Sequence, residues 1–209
     1  MSKVKAIIPC AGFGTRMGMN SHESKEMLDD PVTGKKVIDY SLDLCEKYDL
    51  DPIVVTRAQK MDLITHLNNR KVEVQIYEPE GEWAKSVLAT FGNWNDKNIL
   101  LLPDTRFSPE SALGEIRLKL FNHDLVFGIH RPEVKTPWGV VEHSDGTIWT
   151  AEKPSRDITA WGIIGFSKVE GTQLFTHYMT SNDFAQFKGA TVSLDKFVDI
   201  TRSGRLEKY

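Results

Sequence analysis

Cysteine is scarce: Cys10 and Cys45 are the only two in 209 residues, and neither belongs to a metal-ligand spacing. That excludes a disulfide scaffold and a cysteine zinc site, and it predicts a reducing, cytoplasmic setting. Long apolar runs are missing as well. Nothing approaches the roughly 20 residues of a membrane span, and the first apolar run, from Val4, is interrupted too soon for a signal peptide. No excess of one charge exists either. The 26 basic and 29 acidic side chains leave a net charge of −3, which argues against a nucleic-acid partner, because such binding needs a basic face to displace phosphate counterions. The histidines, His22, His66, His123, His130, His143 and His177, show no metal spacing and are expected mostly at the surface. With 40% hydrophobic residues and no internal repeat or low-complexity linker, the chain is expected to fold as one domain around a good-sized core.

What is present is alternation. Val4–Pro9 is a short apolar run followed by a glycine-rich turn, as a buried parallel strand delivers a loop to a sheet edge. Similar runs recur at Pro52–Thr56, Val72–Tyr77, Ile99–Leu102 and Leu125–Ile129. Helical spacing lies between them, at Val37–Tyr48, Ala58–Leu67, Trp83–Trp94 and a stretch opened by Ser108 as cap and Pro109 as first helical residue. This predicts an α/β, Rossmann-like fold with a mainly parallel sheet flanked by helices. After residue 135 the texture changes. Trp138–His143 and Thr147–Glu152 are joined by Ser144-Asp145-Gly146, a hairpin signal. A small β-rich lobe is therefore expected on the core, so that 1–209 is a single domain with a core at 1–135 and the lobe at 136–209. Helical patterns return at Thr172–Thr180 and Leu194–Arg202.

The chemistry concentrates in the first loop, Ala11-Gly12-Phe13-Gly14-Thr15-Arg16. Glycines directly after a strand let backbone N–H groups approach phosphate oxygens, and Arg16 and Lys25 add positive charge nearby. Two glycines also suffice for a tight turn with no ligand. A dinucleotide-binding loop wants a third glycine or alanine where Met17 stands, and an acidic residue after the second strand, where Thr56 and Arg57 stand. A P-loop wants Lys and then Ser or Thr after its second glycine, but Thr15-Arg16 follow Gly14. Asp104, after the run Ile99–Leu102, places a carboxylate at the carboxyl end of a strand, where open α/β sheets assemble ligand sites and where a magnesium ion could be held. An aspartate there can also serve only as a turn or cap residue.

The segment AIIPCAGFGTRMG, with Ser24-Lys25-Glu26-Met27-Leu28, resembles the signature of the sugar-1-phosphate nucleotidyltransferases. Its Lys-Glu-Met-Leu run is most similar to that of the bacterial UTP–glucose-1-phosphate uridylyltransferases. The resemblance implies that Ala11, Gly12, Gly14 and Thr15 bind a nucleoside triphosphate and that Arg16 and Lys25 hold its tail. Ser24 replaces the family's proline. Asp104 matches the metal-binding aspartate, implying Mg2+, with Mn2+ accepted by the same oxygen donors. Thr136–Val141 and Ala151-Glu152-Lys153-Pro154 resemble the acceptor segments, which implies that Gly139 and Glu152 contact the phosphorylated acceptor and Lys153 neutralises its phosphate.

Asp195 follows Leu194, where the family has glycine, and is the expected second metal carboxylate, with Asp199 one helical turn later as the rival. Gly81 is expected to approach the base, although Glu80-Gly81-Glu82-Trp83 departs from the family's pattern, and Trp83 is equally readable as a core anchor or a stacking platform. The implied reaction couples the triphosphate to a small phosphate and releases pyrophosphate, with Arg16, Lys25, Asp104 and Lys153 catalytic. The short stretch between Lys153 and Asp195 leaves open a CTP-dependent enzyme acting on a non-sugar phosphate, and the altered Ser24, Glu80 and Leu194 leave open an idle nucleotide-binding regulatory subunit. A homodimer is a further expectation.

Overall fold

The computed structural model describes residues 3–20, 22–78, 83–132, 139–151, 159–201, 206 and 208, and for Arg16 the backbone alone. The first strand, β1 (Val4–Pro9), is buried on both faces, as its nearly unbroken apolar run requires. Lys5 is the exception within it. Its ammonium reaches Asp51 at 2.7 Å and Glu73 at 3.0 Å, so the charge is paired where the strand would otherwise bury it. Helix α1 (Val37–Lys47) begins where the Lys36 N–H donates to the Asp39 carboxylate, and strand β2 (Leu50–Thr56) then lies parallel to β1. Helix α2 (Met61–Asn69) leads to β3 (Glu73–Ile76), parallel to β2. After α3 (Trp83–Leu88), β4 (Lys97–Leu100) pairs with the other side of β1, again parallel.

The remaining elements are β5 (Thr105–Ser108), α4 (Ser111–Lys119), β6 (Leu125–His130), the hairpin β7 (Val140–Ser144) and β8 (Thr147–Ala151), β9 (Ala160–Ser167), α5 (Lys168–Thr180), β10 (Ala185–Lys188), β11 (Ala190–Ser193) and β12 (Lys196–Asp199). The large sheet runs β10-β8-β7-β9-β4-β1-β2-β3, with β6 along β9 and β11 beside β6. Only β8 and β9 oppose the common direction, so the sheet is mainly parallel in sense, with antiparallel pairings where these two strands enter. Alternation along β1 sends Ala6 and Ile8 toward α1, α2 and α4, while Ile7 faces α3 and α5. The two cores are therefore set by strand periodicity.

The hairpin is as expected: Asp145 and Gly146, at φ of 50° and 73°, form the two-residue left-handed turn that matches strand twist. Helix α5, expected from Thr172, begins earlier at Lys168, where the Ser167 hydroxyl accepts a hydrogen bond from the Glu170 N–H.

Four expectations are corrected. The helix expected over Trp83–Trp94 ends at Leu88, and a 3-10 turn at Phe91–Asn93 follows it. Ser108 closes β5 rather than capping a helix, and α4 starts at Ser111. The helix expected over Leu194–Arg202 does not form in its described part, 194–201: β12 occupies Lys196–Asp199 and pairs antiparallel with β5, Phe197 opposite Phe107. The tertiary partner overrides the local spacing there. The Phe197 ring packs against Gly162, where a Cβ would stand 2.3 Å from it, so only glycine admits this packing. Lastly, His130 is a core residue, 5% exposed, its ring centroid 4.7 Å from that of Phe197. Among the described residues no helix is long and apolar enough to cross a membrane.

Candidate active site

Strand β1 ends at Pro9, and the N–H of the following Cys10 donates to the Val55 carbonyl at 2.7 Å and so fixes the point where the glycine loop leaves the sheet. Ala11 is buried, while Gly12 and Thr15 are exposed. A Cβ at Gly12 would meet nothing within 4 Å, so the missing side chain leaves open space in front of the loop. Gly14 has φ of 68°, a left-handed conformation that favours glycine, and it starts the 3-10 turn Thr15–Met17 that carries Arg16. The Arg16 side chain, Gly81, Glu152 and Lys153 lie outside the described residues. Gly139 enters the hairpin and accepts a hydrogen bond from the Trp161 N–H at 3.0 Å.

Lys25 sits in a second 3-10 turn, Lys25–Met27, and its ammonium binds the Asp104 carboxylate directly. Asp104 also receives the Thr201 hydroxyl at 2.9 Å, and that hydroxyl is 2.9 Å from Asp199 as well. The backbone repeats the connection: Ile200 N–H donates to the Asp104 carbonyl at 2.9 Å. Pairing of β12 with β5 sets Asp199 opposite Thr105, beside Asp104, and carries Asp195 to the other end of the ribbon, opposite the Ser108 carbonyl. Four residues of strand, roughly 13 Å, separate the two ends. Asp195 is exposed there, whereas Asp199 is half-buried.

Electrostatics follow from this geometry. Burial opposes charge on Asp104, but the Lys25 ammonium and the Thr201 hydroxyl outweigh it and hold the carboxyl below its usual range. Burial and the Asp104 charge together push Asp199 upward. Burial also opposes the Lys25 charge, and the carboxylates of Asp104, Glu26 and Asp199 overcome it, so the ammonium is held above its ordinary value. Two carboxylates sharing one hydroxyl, with one of them reluctant to ionise, suit a hard cation. Among the described residues no group of three or more His, Cys, Asp or Glu side chains is arranged to hold a metal. Two carboxylates nevertheless fit magnesium, which usually takes one or two from the protein and completes its shell with waters and substrate phosphates.

Trp83 is a core anchor: its ring centroid lies 5.7 Å from that of Trp161 and 6.0 Å from that of Phe175. Sequence reasoning missed the roles of Thr201, Glu26 and Lys60. Glu26 and Lys60 form an ion pair of 2.8 Å with both side chains about 1% exposed, and Lys60 donates at 2.8 Å to the Cys10 carbonyl. No local pattern announces this pair. A second buried pair joins Asp30 to Arg106 at 2.6 Å, two residues past Asp104.

No family model matches the chain, and comparison with curated proteins gives no match. Solved structures do resemble it. UDP-glucose pyrophosphorylase from Acinetobacter baumannii superposes with a TM-score of 0.63 and 17% identity, covering 98% of this chain and 90% of that one. The inositol-1-phosphate CTP transferase from T. maritima gives 0.69 and 16% identity over 95% of this chain and 90% of that one. A protein from Bacillus anthracis described as a glucose-1-phosphate thymidylyltransferase gives 0.68 and 18%, over 83% of this chain and 74% of that one. At these identities the likeness is one of fold: the chain has the α/β architecture of these nucleotidyltransferase structures.

Proposed function

We propose that the chain is a metal-dependent nucleotidyltransferase that joins a nucleoside triphosphate to a sugar 1-phosphate or a similar small phosphate and releases pyrophosphate. The observation that carries this reading is the cluster of Lys25, Asp104, Thr201 and Asp199 at the end of the β1 and β4 strands, beside the open loop Ala11–Thr15. Ala11, Gly12, Gly14 and Thr15 bind the triphosphate through backbone groups, Arg16 and Lys25 hold its tail, and Gly81 approaches the base. Gly139, Glu152 and Lys153 take the acceptor, in the lobe formed by 136–209.

An oxygen of the acceptor phosphate attacks the α-phosphorus in line; the new P–O bond forms as the bond to the β-phosphate oxygen breaks, and pyrophosphate leaves with that electron pair. No protein nucleophile is required, so catalysis is positioning and charge neutralisation. Lys25 and Arg16 stabilise the charge growing on pyrophosphate, and Lys153 orients the attacking phosphate. Asp104 and Asp199, rather than Asp195, hold the Mg2+, or Mn2+, that supplies Lewis-acid neutralisation of phosphate charge when bound.

A CTP-dependent enzyme for a non-sugar phosphate is the second reading, favoured by the short stretch between Lys153 and Asp195. The test is pyrophosphate release with the four ribonucleoside triphosphates and dTTP against sugar and alcohol phosphates. Turnover with one pair identifies the substrates. Triphosphate binding with no turnover for any pair overturns the enzyme reading in favour of a regulatory subunit.

A further inference from the structure

We infer that Glu26 and Lys60, with Ser24 and Asp62 as a second tie, are positioning residues that hold Lys25 in place for the triphosphate; this rests on the proposed nucleotidyl transfer. Lys25 is flanked on both sides by residues bound to the start of α2. Before it, the Ser24 hydroxyl donates to Asp62 at 2.6 Å. After it, the Glu26 carboxylate accepts from Lys60 at 2.8 Å. Lys60 extends the tie to the glycine loop by donating to the Cys10 carbonyl, the last group before Ala11. One buried ammonium thereby joins the two segments that carry the loop and its lysine.

The pair is poorly suited to stabilising the fold. Both side chains are withdrawn from water, and Glu26 Oε1 is buried without a hydrogen-bond partner among the described residues. Burying two charges costs several kcal/mol per ion, a penalty that one attraction repays only with full hydrogen bonding. Two apolar residues would fill the same space at lower cost. What they could not supply is a fixed direction: the pair sets the turn Lys25–Met27 against Cys10, which aims the Lys25 ammonium at Asp104. The serine tie has the same logic. A serine at position 24 lacks the backbone rigidity of proline, and its hydroxyl, in a residue 2% exposed, restores the restraint through Asp62.

The experiment compares wild type with Glu26→Gln, Lys60→Met and the paired Glu26→Leu/Lys60→Met, which removes both charges and keeps the space filled in case the single variants fail to fold. Two readouts are taken. Side-chain NMR of Lys25 reports whether its ammonium end is ordered, independently of activity. Wild type is expected to show an ordered Lys25, and the variants a mobile one with the remaining spectrum preserved; an equally ordered Lys25 in the paired variant overturns the proposal. Kinetics with the active triphosphate are expected to show kcat/KM falling by about 10²-fold in the paired variant, the scale of a small misplacement. In a Lys25→Met background the same replacement is expected to add almost nothing, whereas a full further loss overturns the proposal. If wild type neither turns over nor binds UTP or CTP with magnesium, the nucleotidyl-transfer reading fails, and the NMR comparison still decides whether the pair positions Lys25.

Discussion

Asp104 and Asp199 share one proton donor: the Thr201 hydroxyl lies 2.9 Å from each carboxylate and can donate to only one at a time. Asp199 also accepts from the Thr201 N–H at 2.9 Å, so the two carboxylates stand side by side at Thr201, where the proposed cation would be held. Asp199→Asn is therefore expected to weaken the response of triphosphate binding to magnesium, while Asp195→Asn, at the exposed far end of the β12–β5 ribbon, leaves it unchanged. Magnesium titration followed by calorimetry distinguishes them, and a selective effect of Asp195→Asn would return the second ligand to that position.

Asp104→Asn keeps the shape of the side chain and removes the charge that Lys25 and a metal require. Turnover is expected to fall by at least about 10²-fold, the scale of losing one preorganised charge contact. Circular dichroism is expected to show the fold retained. Normal turnover would reject Asp104 as a metal ligand.

Much of the fold could be read before any coordinates. β1 follows its apolar run from Val4 to Pro9, and Asp145-Gly146 announces the hairpin. What failed was non-local. β12 reads as helix because Leu194, Phe197 and Thr201 have helical spacing, but a strand forms because β5 is there to pair with and Gly162 makes room for Phe197. The site shows the same division. Lys25 and Asp104 could be picked out as candidates, one in a run of characteristic residues and the other after a strand, and the structure brings them into contact. Proposing Asp199 over Asp195 needs the β12 register, and Lys60 meets Glu26 from 34 residues away.

The Asp30–Arg106 pair makes the fold sensitive to the loss of either partner. Both side chains are about 1–3% exposed, and Arg106 also stacks on Tyr40 at 4.4 Å. Removing one partner with Asp30→Ala strands a buried charge and is expected to cost about 3–5 kcal/mol. Urea unfolding measures it; a loss below about 1 kcal/mol would contradict the buried-pair account.

His130 predicts sensitivity to mild acid. Burial pushes its pKa down to about 4, so the folded protein holds the ring neutral while the unfolded chain protonates it near 6.5. Its contribution is complete above the unfolded value and is lost as pH falls from about 6.5 toward 4, on the order of 3 kcal/mol. Denaturant unfolding across that window is expected to show the slope, and His130→Gln to flatten it. Asp30 acts lower: burial raises its carboxyl, but bonds from Thr33, Arg106 and Val32 outweigh this and hold it below the usual range. Its contribution is present above about pH 4 and disappears as pH falls further.

The most direct test of nucleotidyl transfer is pyrophosphate release by the purified chain with magnesium, across the five triphosphates and a panel of sugar and alcohol phosphates. One triphosphate and acceptor pair is predicted to turn over, with activity abolished by EDTA and by Asp104→Asn. Absence of turnover with every pair, whether or not a triphosphate binds, would contradict it.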